Sequence, residues 1–171
     1  MHEKLGRVEL LDGHASAAVG NQTFTSTLNY ASGSIFEWDF NAVSTTNPGV
    51  VSNALTGTYD KVVASGAVTG SSAVFKIVLA GNAYSDAFWN SNKSWTDIFS
   101  MGSGSSTLAS IFSTINGNGI TWNSLTGRGD VPGQGYFTLS SNTLNWTAVP
   151  EPSGILSAVL VGAGLLRRRR I

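Results

Sequence analysis

An all-β body is the fold class this sequence predicts, and three observations carry it. Residues 34–40 (SIFEWDF) and 73–80 (AVFKIVLA) alternate in side-chain character with the period of two that a half-buried strand requires. Short apolar runs recur between Gly, Asn and Ser turns, the spacing of a protein made of many short strands. Charged residues are only 12% of the chain while 20 of its 171 residues are glycine, so long charged helices of the kind that coat α-rich domains have little material to form from.

Taken in order, residues 23–30 (TFTSTLNY) and 34–40 are the first expected strands. In the second, Phe36, Trp38 and Phe40 share one face while Glu37 and Asp39 share the other. Asn47-Pro48-Gly49 marks a turn. Residues 59–64 (YDKVVA) lead through Gly66 and Gly70 into 73–80, the most apolar run of the body. There Phe75, Ile77 and Leu79 point one way and Val74, Lys76 and Val78 the other. The stretch 88–101 (FWNSNKSWTDIFSM) predicts a short loop or helix. Residues 107–115 (TLASIFSTI) are the one expected helix of the body, ended by Gly117-Asn118-Gly119. Residues 120–125, 135–140 and 143–147 read as closing strands. Alternation assigns Phe36, Trp38, Phe40, Phe75, Ile77 and Leu79 to the core. No fixed period stands out, so a β-sandwich and a short, irregular parallel solenoid end both fit.

The chemistry available to such a body is limited. There is no cysteine and there are two histidines, His2 and His14, which removes thiol catalysis, disulfides and a conventional zinc site. Ten Lys/Arg less the four terminal arginines leaves six, against nine Asp/Glu once Glu151 is set aside, so residues 1–149 carry a net charge of −3. That mild acidity argues against nucleic acid as a partner. Glu37 and Asp39 form the one same-face acidic pair a glycosidase would need, and a solvated strand face accounts for them. Asp60, Asp86, Asp97 and Asp130 lie near Asn- and Gly-rich turns, yet the Gly-Gly-x-Gly-x-Asp pattern of calcium β-rolls is missing. Arg128-Gly129-Asp130 spells an adhesion tripeptide on an expected turn before Pro132-Gly133, a match that three residues make by chance. The five tryptophans are candidates for stacking on sugars. No catalytic residue, metal or cofactor is expected, and the chain reads as a non-enzyme.

The end of the sequence is organised differently. Pro150-Glu151-Pro152 precedes the uncharged segment 153–166, whose apolar members include Ile155, Leu156, Val159, Leu160, Val161, Leu165 and Leu166 after Ser153. Four arginines, Arg167, Arg168, Arg169 and Arg170, follow. An apolar helix satisfies its own backbone in lipid, and basic residues beyond it stay on the cytoplasmic side. Fourteen helical residues span roughly 21 Å, short of the roughly 30 Å hydrocarbon core, which suits a transient anchor. This order resembles a PEP-CTERM protein-sorting signal. The resemblance implies recognition of Pro150, Glu151 and Pro152 by an exosortase-type transpeptidase, passage through the membrane, and final residence at a bacterial surface or in its matrix. Residues 148–171 are thus expected to be a sorting signal behind a body of 22–147. Residues 1–21 have no charged-then-apolar leader and are expected to be the start of a fragment.

A second resemblance bears on the body. Residues 33–40 (GSIFEWDF), 59–66 (YDKVVASG) and 73–79 (AVFKIVL), followed by Phe88-Trp89 and 95–99 (WTDIF), resemble the end of passenger proteins built from autotransporter-associated β-strand repeats. That likeness implies a right-handed parallel β-helix, or the cap that closes one, with a β-sandwich as the alternative and one C-terminal hydrophobic helix after it. The function implied is structural or adhesive, with exopolysaccharide as an associated partner. A carbohydrate-binding module is the alternative, and a polysaccharide-active enzyme is a more distant one.

Overall fold

A computed structural model describes residues 20–40, 50–51, 59–79, 84–96 and 98–149, with backbone only at 50–51. Among them the chain is all-β, with strands throughout, one α-helix of four residues and one 3-10 turn over Ala87–Asn90. The expected C-terminal hydrophobic helix lies outside the described residues.

Most pairing is parallel and joins successive passes of the chain. The first pass holds β1 (Asn21–Phe24), β2 (Leu28–Tyr30), β3 (Ile35–Phe40) and β4 (Val50–Val51). The second holds β5 (Lys61–Ala64), β6 (Val68–Gly70), β7 (Ala73–Leu79) and β8 (Lys93–Trp95), and each lies parallel against its counterpart. Asn21 faces Lys61 and Leu28 faces Val68, both 40 residues on, and Ile35 faces Val74, 39 on. A third pass adds β9 (Phe99–Ser100) to β5 and β10 (Phe112–Gly117) to β7, again parallel. A spacing of about 40 residues therefore exists that the residue identities conceal. Only the side on which each residue falls recurs, as in Phe36, Phe75 and Ile115, which lie in one row across β3, β7 and β10.

The corners between strands explain where small residues are needed. The expected single strand at 23–30 is broken at Thr25-Ser26 into β1 and β2, and the second pass bends at the same place, Ser65-Gly66. The backbone ladder runs on through this bend, with Ser65 N–H donating to Phe24 O at 3.0 Å, Leu28 N–H to Ala67 O at 2.9 Å and Gly102 N–H to Gly66 O at 3.1 Å. A Cβ on Gly66 would stand 2.6 Å from the Ser26 carbonyl carbon, and one on Gly102 would stand 2.4 Å from Ser65 O. The third pass has no strand against β6. Instead the Ser105 hydroxyl accepts from Val68 N–H at 2.8 Å, and Ser106 N–H donates to Val68 O at 2.8 Å.

After β10 the chain changes mode. β11 (Thr121–Asn123), β12 (Arg128–Val131), β13 (Gly135–Ser140) and β14 (Thr143–Ala148) form an antiparallel meander, and β14 pairs antiparallel with β8. Two expectations are corrected here. The helix expected over 107–115 is confined to α1 (Leu108–Ile111), capped by Thr107, and Phe112 turns into β10. Pairing with β7 supplies β10 with backbone partners along its length, and a four-residue helical pattern cannot compete with that. The Arg128-Gly129-Asp130 tripeptide lies in strand β12 rather than on a turn, held between β11 and β13.

The core is aromatic. Phe36, Trp38, Phe40, Phe75 and Ile77 are buried as alternation required, whereas Leu79, near the end of its strand, is half-buried and packs against them. One cluster joins Tyr30, Phe36, Phe75, Phe99 and Phe112, with Phe36 and Phe99 centroids 4.9 Å apart. The other centres on Trp38, Phe40, Trp89, Trp95, Phe137 and Trp146, where Phe137 and Trp146 stand 4.8 Å apart. The Trp146 indole N–H donates to Trp89 O at 2.8 Å and so ties the meander to the 3-10 turn.

Two mutations test this account. Phe75 is wholly buried between Phe36 and Phe112, so Phe75→Ala is expected to lower unfolding free energy by about 3–5 kcal/mol in urea titration. Gly102→Ala is expected to cost about 1–3 kcal/mol, because the added methyl meets rigid backbone rather than a yielding side chain; a wild-type midpoint would refute the corner contact.

Candidate functional site

The residues singled out in the sequence fall into three groups. Pro150, Glu151 and Pro152, the apolar segment with Ser153, Ile155, Leu156, Val159, Leu160, Val161, Leu165 and Leu166, and Arg167, Arg168, Arg169 and Arg170 lie outside the described residues, as do His2, His14 and Asp97. Among the described residues, no helix is long and apolar enough to cross a membrane.

The acidic pair is not a pair. Glu37 is exposed and binds Lys76 across the β3–β7 ladder at 2.7 Å, a surface contact worth about 0–1 kcal/mol. Asp39 is only 8% exposed, contrary to the solvated position expected from strand alternation. The cause is the segment at Tyr59-Asp60, which folds back over the end of β3. Asp60 N–H donates to Asp39 O at 3.0 Å, and the Asp60 carboxylate accepts from Asp39 N–H at 3.0 Å and from Gly20 N–H at 2.7 Å. Trp38 adds its indole N–H to Asp60 O at 3.1 Å. Asp60 therefore fastens backbone. Asp130 forms an ion pair with Arg128 at 2.7 Å and accepts from the Asn123 amide at 3.3 Å, while Arg128 stacks on Tyr136 with 4.4 Å to the ring centre. Among the described residues, no three His, Asp or Glu side chains lie together in a way that would hold a metal.

Concavity occurs instead where the meander meets the third pass. An open groove of about 280 Å³ has Phe112 and Ile115 as its floor and Trp122 and Leu139 as apolar walls. Exposed Ser113 and Ser124 supply hydroxyls at its rim, and Ala109 and Gly127 keep that rim low. Among the described residues, no charged side chain lines it. The lip at 124–127 is a held turn: the Asn123 side-chain oxygen accepts from Leu125 N–H at 3.1 Å and Thr126 N–H at 3.3 Å, and Gly127 N–H donates to Asn123 O at 2.9 Å. Gly127 closes that turn with a φ of +63°, a conformation glycine takes without strain.

The tryptophans divide sharply. Trp38, Trp89, Trp95 and Trp146 are at most 1% exposed and belong to the core, as alternation expected of Trp38, so these four candidates for sugar stacking are closed to a ligand. Trp122 alone is half-buried, and it is the one that lines the groove. Its neighbour across the β11–β12 ladder is Gly129, so β12 has no side chain at that place to lay over the indole. Alternation sets Trp38 apart as a core residue, but nothing in the sequence separates Trp122 from Trp89, Trp95 and Trp146, and Ser113 was hidden inside an expected helix. Neither could be identified as a site residue before the meander was seen to fold against β10.

No protein-family model, curated protein or solved structure matches this chain.

Burial perturbs three ionisable groups elsewhere. The phenols of Tyr30 and Tyr84 are pushed well above their ordinary value of 10.0 by desolvation, and neither hydroxyl has a hydrogen-bond partner among the described residues. Lys93 is held below its ordinary 10.5 by burial, over the Phe88 ring and beside Ser91. A lowered lysine binds fewer protons folded than unfolded, so its contribution to stability rises with pH up to 10.5 and is flat beyond. The raised phenols keep protons that the unfolded chain loses above 10.0, so their contribution falls as pH rises through that value. Above pH 10.5 only the falling slope remains of these three groups. Denaturation midpoints are expected to drop there, and Tyr30→Phe is expected to flatten the slope without loss of stability at neutral pH, since it deletes a buried hydroxyl that has no partner.

Proposed function

We propose that this chain is an exported, non-enzymatic structural or adhesive protein of a bacterial surface or extracellular matrix, delivered by residues 150–171. The observation that carries the reading is the order of that tail: Pro150-Glu151-Pro152, then an uncharged apolar segment, then the basic cluster Arg167 to Arg170. Such a segment enters the bilayer with its arginines inside, and an exosortase-type enzyme then acts at the Pro-Glu-Pro box. The chain is the substrate of that chemistry.

The body we read as the end of a parallel β-helix. Support comes from the stepwise parallel pairing of β1, β5 and β9, of β2 and β6, and of β3, β7 and β10. An antiparallel meander stands on one side of that stack, and a cap of this kind covers strand edges that would otherwise recruit other chains. A sandwich is disfavoured on this reading, because its strands are joined mainly by antiparallel hairpins. A structural role also suits a polar, weakly charged exterior around an aromatic interior.

Fusing residues 148–171 to an exported reporter tests the delivery. In cells lacking the processing enzyme the fusion is expected in the membrane fraction, and replacing Arg167 to Arg170 with Ser is expected to release it. A wild-type fusion wholly soluble outside the membrane would overturn the proposal.

A further inference from the structure

We propose that the groove between the meander and α1–β10 binds a neutral oligosaccharide, with Trp122 as its stacking platform and the Ser113 and Ser124 hydroxyls as hydrogen-bonding partners. The inference goes beyond delivery and does not depend on the tail.

Its argument is chemical. A sugar ring offers an apolar face of C–H groups and an equatorial fringe of hydroxyls. It therefore needs a flat aromatic surface beside small polar groups, and indole supplies such a surface at low conformational cost. Trp122 is the single tryptophan of the five left half-buried rather than buried, and it lines the groove together with Leu139, Phe112 and Ile115. Among the described residues the lining carries serine hydroxyls and no ionised group, which disfavours phosphate, uronate or nucleic acid and favours an uncharged ligand. A volume of about 280 Å³ accommodates one or two sugar rings and leaves the chain ends free. The lip is pre-ordered: Asn123 holds the turn 124–127 by two side-chain-to-backbone bonds, and that turn keeps Leu125, 96% exposed, standing beside Ser124. Among the described residues the lining holds no acid–base pair, so the groove is proposed to bind rather than to cleave.

Cellohexaose, xylohexaose and chitohexaose are the probes, with polygalacturonate as the charged comparator, each titrated into the full chain by calorimetry and tryptophan emission. Saturable binding of at least one neutral hexamer is expected, together with protection of a single acrylamide-quenchable tryptophan. Ser113→Arg introduces a long cation from an exposed rim position and is expected to weaken binding at least about tenfold with an unchanged melting temperature. Trp122→Ala is expected to abolish binding, while Trp122→Tyr retains part of it. The proposal is overturned by no saturable response to any neutral hexamer, by preference for polygalacturonate, or by affinity unaltered in Ser113→Arg. Reporter fractionation is independent of these measurements, so failure of one reading leaves the other standing.

Discussion

Everything else in this structure depends on the register in which successive passes of the chain lie parallel, one about 40 residues after the other. Parallel strands cannot be joined by a tight turn; the chain must travel a full circuit before it meets itself. Once it does, each residue inherits the side of its counterpart, and a slip of one residue would turn an aromatic row outward and a polar row inward. The register is held at the corners as well as along the strands. Ser26, Gly66 and Gly102 bring backbone against backbone where the passes bend, with no room for a methyl group between them. Ser105 and Ser106 maintain the ladder where the third pass has no strand to offer.

That register explains the aromatic interior. Rows such as Phe36, Phe75 and Ile115 stack at the strand spacing, so large flat side chains from neighbouring passes meet at edge-to-face distances. Large rings fill the space with few residues, which matters for a body whose strands are mostly three to seven residues long. The same packing leaves polar atoms stranded. The Tyr30 and Tyr84 hydroxyls and the indole N–H groups of Trp89 and Trp95 are buried without a hydrogen-bond partner among the described residues, each a local loss offset by the apolar area around it. Trp38 and Trp146 avoid that loss by donating to Asp60 O and Trp89 O, and those two bonds tie distant segments together.

The change from parallel to antiparallel pairing after β10 separates two jobs. The parallel passes build a chemically plain stack, with its acids used to fasten backbone or to pair with Lys76. The meander folds against this stack and does not seal it completely. Where β11 and β13 approach α1 and β10, an open apolar groove remains, with the one half-open tryptophan in its wall. Function is thus expected at the junction of two pairing modes, where neither mode dictates close packing. The proposed delivery rests on a separate property of the chain, the order of box, apolar segment and arginines at residues 150–171.

The sequence by itself determined the all-β class, the burial of Phe36, Trp38, Phe40, Phe75 and Ile77, and the strands at 135–140 and 143–147. These follow from period-two alternation and from turn residues, both local signals that survive without knowledge of a partner strand. Tertiary structure decided the rest. No repeat announced the parallel stacking, which only a resemblance implied, because inward sites accept any large apolar residue, so Phe, Ile and Leu exchange freely and the period leaves no trace in residue identity. The pattern at 107–115 read as helix because only the ladder on β7 makes Phe112–Gly117 a strand. Asp39 read as solvated because the segment that covers it, Tyr59-Asp60, lies some twenty residues away along the chain. Trp122 was one tryptophan among five for the same reason: openness to solvent is set by what folds over a side chain, and that is a property of the assembled chain.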